Sequence, residues 1–170
     1  ALHTPHLPAV SSPVTTPATT KPIPPQEPSA VSQTTSIEFR PGDTAATVGQ
    51  EVRRDITASR AADLYGAIIT VGYDPRIVDL KIATEGQFLK EDGQQTSFLF
   101  SNNVKAGTVD IYLTRIGDVG GRSGDGILGT IVCQAKSGGM AESGIKNIKL
   151  TNVNREIVKA EARRSRVTIK

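Results

Sequence analysis

The chain is 170 residues long with 20 Lys and Arg against 17 Asp and Glu, so it has room for one ordinary domain and an appendage. Its net charge of +3 is too mild to argue by itself for nucleic acid or a membrane surface as partner. One cysteine excludes an internal disulfide scaffold, and no apolar run approaches the roughly 20 residues of a membrane-spanning helix.

Eight of the ten prolines fall before Ser29, separated mostly by Ser, Thr, Ala and Val. Such a segment has too little large apolar surface to repay its ordering entropy, so residues 1–34 are expected to form a disordered Pro/Thr/Ser-rich arm. Its extended reach would be roughly 3 Å per residue. The missing start Met and apolar leader fit a processed or excised fragment, and the Pro/Thr/Ser arm resembles stalks that hold modules apart outside the cytoplasm. The folded domain is expected over 35–170, long enough to bury a core unaided.

From Ile37 onward period-two alternation dominates. Ile37 and Phe39 predict a short first strand, closed by Pro41-Gly42-Asp43. Ala46 to Val48 and Val52 to Ala58 come next, separated by a turn at Gly49, and Arg60 to Asp63 reads as a loop. Leu64 to Tyr73 is the longest strand, with Ala67, Ile69, Val71 and Tyr73 inward, and it ends at Asp74-Pro75. Val78, Leu80 and Ile82 are expected to share a face. Gly86, Phe88 and Leu89 form a connecting excursion, and Glu91-Asp92-Gly93 turns back.

Thr96, Phe98 and Phe100 alternate in the next strand, then Val109, Ile111 and Leu113 after a loop. A glycine-rich loop, residues 117–126, leads into Ile127 to Ala135, where Cys133 shares the buried face with Ile131 and Ala135. Ile145, Ile148 and Leu150 supply another strand, Val167 and Ile169 the last. Between them, Val153 to Arg164 has the composition for a helical turn. Nine short strands separated by Gly, Asp and Asn turns fit an all-β fold, a β-sandwich or jelly roll.

Catalytic equipment is sparse. The only histidines, His3 and His6, sit in the arm and read as linker residues, so the domain has no Ser-His-Asp, Cys-His or His/Cys zinc set. Asp118 and Asp125 flank the glycine-rich loop and are the weak candidates for a metal, calcium with backbone carbonyls; turn chemistry explains them equally. The basic residues after Lys146 lack interleaved aromatics, none occurring after Tyr112, which argues against nucleic acid. These readings give a non-enzyme.

Several segments together resemble the cohesin family. Tyr73-Asp74-Pro75 looks like the end of a cohesin third strand, and Val78, Leu80, Gly86 and Phe88 resemble the segment after that strand. The stretch from Gly107 to Ile111 resembles the sixth strand and that from Ser123 to Ile131 the seventh, with Cys133 where an aromatic is usual. The resemblance runs from about Ser36 to Ile169. It implies a nine-stranded jelly roll that binds proteins, dockerins in cellulosomes, and that also occurs in secretin-like components of secretion or pilus machinery. It further implies a binding face on the third, fifth, sixth and eighth strands: Gly66, Ile68, Thr70, Leu99, Ser101, Asp110, Tyr112, Thr114, Asn147 and Lys149. Cellulosomal type I cohesins carry Asn and Asp where this chain has Gly66 and Ile68.

The expected role is therefore a protein-binding module on an exported protein, extracellular, at the cell surface, or in the periplasm and outer membrane. Its expected partner is a dockerin-like protein or a secretion or pilus component, with Ile68, Leu99 and Tyr112 as apolar anchors. A cover over that patch by the Val153–Arg164 segment or the arm stays open as an alternative. So does a carbohydrate-binding module with a polysaccharide ligand, although the domain has no Trp and only three Tyr to serve as stacking platforms.

Overall fold

The computed structural model describes residues 33–170, which lie within one unit, Ser32–Lys170. The expected arm, with His3 and His6, lies outside the described residues apart from residues 33 and 34. Eleven strands make up the domain: β1 Thr35–Arg40, β2 Thr44–Ala46, β3 Glu51–Gly72, β4 Val78–Glu85, β5 Thr96–Asn103 and β6 Thr108–Arg115. They continue as β7 Arg122–Ala135, β8 Gly139–Asn152, β9 Ile157–Val158, β10 Ala160–Ala162 and β11 Ser165–Ile169. Among the described residues a single 3-10 turn, Phe88–Lys90, interrupts the β structure. The fold is the expected all-β jelly-roll sandwich.

Strand β3 belongs to both layers. Its first half pairs with β1 and β7, and β7 pairs in turn with β4. Its second half pairs with β6 and β8, and β6 pairs with the edge strand β5. The early part of β8 pairs with β11, which runs parallel to β2. Inward residues of both layers form one core, including Ile37, Phe39, Ile56, Ile69, Val71, Val109, Ile111, Ile131 and Leu150. Each is at most 2 % exposed, as alternation on a one-sided sheet requires.

The expected loop at Arg60–Asp63 is instead a pair of bulges within β3. Register shifts fall between Ala58 and Ala61 and between Ala61 and Leu64, with Arg60 and Asp63 at φ of 57° and 51°. The glycine-rich segment clasps this bend. Arg60 N–H donates to Asp125 Oδ1 (2.6 Å), Asp63 N–H to Ser123 Oγ (2.9 Å) and Gly121 N–H to Asp63 Oδ1 (3.0 Å). Those bonds turn one chain segment from the first layer into the second.

Three further expectations need correction. Ile82 does not share a face with Val78 and Leu80. A register shift after Leu80 buries Ala83 at 4 % exposure and leaves Ile82 at 46 %. Phe100, two residues from Phe98 on the edge strand β5, is 42 % exposed and does not join Phe98 against the core. Val153–Arg164 forms no helical turn: it pairs as β9 with β8 and as β10 with β1, giving eleven strands rather than nine. Strand pairing satisfies the backbone groups of this segment on the edges of β8 and β1.

Candidate partner-binding face

Strands β5, β6, the second half of β3 and β8 lie side by side in that order, and their outward residues fall into rows. Leu99, Tyr112, Ile68 and Lys149 stand opposite one another across the four strands. One step along is the row Ser101, Asp110, Thr70 and Asn147; one step the other way is Ser97, Thr114, Gly66 and Thr151. All ten residues named from the sequence are in these rows. Ser97 and Thr151 were missed, though the same two-residue step from Leu99 and Lys149 reaches both.

The rows align because inward positions fix the phase. Ala67, Ile69 and Val71 are at most 3 % exposed, which turns Gly66, Ile68 and Thr70 outward. In β8 a register shift between Thr70 and Val71 leaves Lys146 unpaired. Ile145 and Ile148, three residues apart, both pack against the core as a result, and Asn147 and Lys149 face out.

The middle row is apolar at its centre. Leu99 is 66 % exposed, Tyr112 42 % and Ile68 37 %, so three large side chains form a continuous patch with a lysine at its end. The next row is polar: Thr70 Oγ1 donates to Asp110 Oδ1 at 2.6 Å, which fixes that carboxylate beside the patch. Gly66 opens a depression of about 290 Å³ on the other side. A Cβ at Gly66 would come within 2.9 Å of Thr151 Oγ1 and 3.4 Å of Thr114 Oγ1. The missing side chain therefore leaves a notch edged by two hydroxyl-bearing residues. A larger polar cleft of about 730 Å³, lined by Arg76, Lys105, Lys146 and Arg166 among others, lies apart from these rows.

Other candidate chemistry resolves into structure. Asp125 uses an oxygen to cap the Arg60 amide, and Asp118 is exposed. Among the described residues no group of three or more His, Cys, Asp or Glu side chains is placed to hold a metal ion. Cys133 is 7 % exposed, and burial pushes its thiol up to about 11, so it stays protonated at neutral pH. Of the three tyrosines, Tyr73 is buried and Tyr65 donates to the Gly117 carbonyl at 2.7 Å, so Tyr112 alone presents a ring on the face. No helix among the described residues is long and apolar enough to cross a membrane.

A family model described as "Cohesin domain" matches residues 37–161. No curated protein matches. Among solved structures, a non-cellulosomal cohesin from the archaeon Archaeoglobus fulgidus is similar at 14 % identity and a TM-score of 0.65, covering 81 % of this chain and 91 % of its own. The Coh-OlpA–Doc918 complex, a type I cohesin–dockerin complex from Clostridium thermocellum, matches at 13 % identity and 0.68, over 81 % and 99 % of the two chains. A type II cohesin domain from the cellulosome of Acetivibrio cellulolyticus matches at 11 % and 0.64, over 79 % and 94 %. These likenesses concern the fold, and the family match spans most of the chain. The chain belongs to the cohesin family.

Proposed function

We propose that this domain is a non-catalytic protein-binding module of an exported or envelope protein, and that it holds its partner on the face formed by β5, β6, β3 and β8. The observation that carries the reading is the row Leu99–Tyr112–Ile68, an exposed apolar centre bordered by Asp110, Thr70, Asn147 and Lys149. An apolar core inside a polar rim is the anatomy of a protein interface. Relatives of similar fold are described as cohesin–dockerin complexes, which supports a protein partner, dockerin-like or a component of secretion or pilus machinery.

Gly66 and Ile68 shift the chemistry of that contact. An Asn and Asp pair would anchor a partner by hydrogen bonds. Here a notch and a branched aliphatic side chain reward an apolar knob instead, so the partner presents a hydrophobic residue at this point. The test is capture of proteins from the source envelope and secreted fractions on immobilised chain. Wild type, Ile68→Asp and Ile82→Asp would be compared, the last altering an exposed residue on the other layer. Retention by wild type and Ile82→Asp but loss with folded Ile68→Asp supports the assignment. Equal retention by all three removes the face, and retention of polysaccharide alone removes the protein partner.

A further inference from the structure

Strand β5 is an open sheet edge. Among the described residues it pairs only with β6, and Leu99 to Asn103 are all exposed. Its eight residues, Thr96–Asn103, include no charge and no proline, the devices that ordinarily keep an edge from pairing. The phase of its free backbone groups is set by the ladder. Ile116 N–H donates to the Gln95 carbonyl at 2.9 Å, so the hydrogen-bonded positions facing β6 are Gln95 and every second residue after it. Thr96, Phe98, Phe100 and Asn102 therefore direct their N–H and C=O groups away from the sheet.

The same strand reads identically in both directions about Leu99: Ser97-Phe98-Leu99-Phe100-Ser101. Antiparallel pairing of two copies with a two-fold axis at Leu99 sets Phe98 opposite Phe100 of the other copy, and Thr96 opposite Asn102. Those are the four positions whose backbone groups are free. Moving the axis by half a residue would set free positions against positions already bonded to β6. Backbone phase requires the axis to fall on a residue, and side-chain symmetry places it at Leu99.

We propose that the chain self-associates through β5, antiparallel about Leu99, into a two-fold dimer with one continuous sheet across both copies. The ring centroids of Phe98 and Phe100 already lie 6.5 Å apart on the inner side, and pairing gathers four such rings over the junction. The two Leu99 side chains meet on the outer side as a non-hydrogen-bonded pair. Because the axis runs perpendicular to the sheet, both outward faces point the same way, which gives a bivalent platform. The occupant is a second copy because only an identical strand reproduces the palindrome.

The test uses the full chain. In sedimentation across a concentration series, the weight-average mass should rise toward twice the 18.0 kDa of one chain. Phe100→Pro deletes an outward donor without touching a β6 bond, a change edge strands tolerate, and should abolish that rise. Under mild oxidation Leu99→Cys should cross-link to itself at the axis, whereas Ser101→Cys, opposite Ser97, should not. Cys133 is buried in every variant and gives no background. A monomer at every concentration, an unchanged rise in Phe100→Pro, or equal cross-linking of the two cysteine variants each overturns the proposal.

Discussion

Arg54 is 1 % exposed, and its replacement tests how a buried charge is tolerated. Its Nη2 donates to the Gly42 carbonyl at 2.7 Å and to Ser165 Oγ, and the guanidinium sits 4.2 Å from the centroid of the Phe39 ring. Hydrogen bonds from a charged donor contribute ~1.5–3 kcal/mol each. A desolvated cation–π contact adds about 2 kcal/mol. Against this, Nε and Nη1 have no partner among the described residues. Each unmet donor costs ~1–3 kcal/mol, and removing the charge from water costs several more. Burial accordingly pulls the guanidinium down to about 10. The opposing contributions nearly cancel. Arg54→Met, which keeps the stem and its packing, should therefore change stability by no more than about 1 kcal/mol, or ~3–4 °C in Tm. Arg54→Ala also loses the stem and opens a cavity, and should cost about 3 kcal/mol, or ~10 °C. Thermal unfolding followed by circular dichroism measures both. Equal, large losses in the two variants would refute the cancellation and show that the charge itself holds the layer together.

Other outcomes rest on single contacts. Cys133, its thiol pushed up to about 11, should have about a thousandth of its population as thiolate at pH 8 and resist alkylation until denaturant is added; rapid labelling of native protein would contradict its burial. Asp74 is held down to about 2, chiefly by hydrogen bonds from the Arg76 side chain and then from the Arg76 amide. Its folded value lies below its unfolded one, so its stabilising contribution is complete above the ordinary carboxylate range and lost as pH falls through about 2. Arg76→Ala should move the Asp74 titration seen by NMR upward without reaching 3.8, because the amide bond remains. Gly107 has φ of +63°, and a Cβ there would come within 2.5 Å of the Tyr73 carbonyl, whereas Gly49 at +88° has nothing within 4 Å. Chemical denaturation should give Gly107→Ala a loss of ~2–3 kcal/mol and Gly49→Ala only ~1 kcal/mol.

The strand phases were legible where pairing is regular. Ala67, Ile69, Val71 and Tyr73 alternate in sequence and are buried in the structure, so the outward partners Gly66, Ile68 and Thr70 could be named without further information. Bulges were not legible. Nothing in Leu80-Lys81-Ile82-Ala83 announces that Lys81 is an extra residue, left unpaired between the Leu80–Cys133 and Ile82–Val132 pairs. Arg60 and Asp63 adopt positive φ without being glycine, held there by amide bonds to Ser123 and Asp125 some sixty residues away. Local propensity in Val153–Arg164 was overridden for a similar reason. The free edges of β1 and β8 supply hydrogen-bond partners that a short helix could not match.

The division between inward and outward positions also lets the residues of the proposed face vary while the core is kept. Period-two alternation commits Ala67, Ile69 and Val71 to the core and leaves Gly66, Ile68 and Thr70 with no packing duty across the layers. A hydrogen-bonding pair can therefore give way to Gly66 and Ile68 without disturbing the core beneath. What changes is the physical basis of recognition. A charged anchor loses strength as salt screens it, while an apolar contact around Ile68, Tyr112 and Leu99 does not. Residual exposure then ranks the anchors. Leu99 has the most surface left to bury at 66 % and Ile68 the least at 37 %, so truncating Leu99 should weaken partner binding more than truncating Ile68. The opposite order would place the centre of the interface on β3 and move the partner away from the β5 edge.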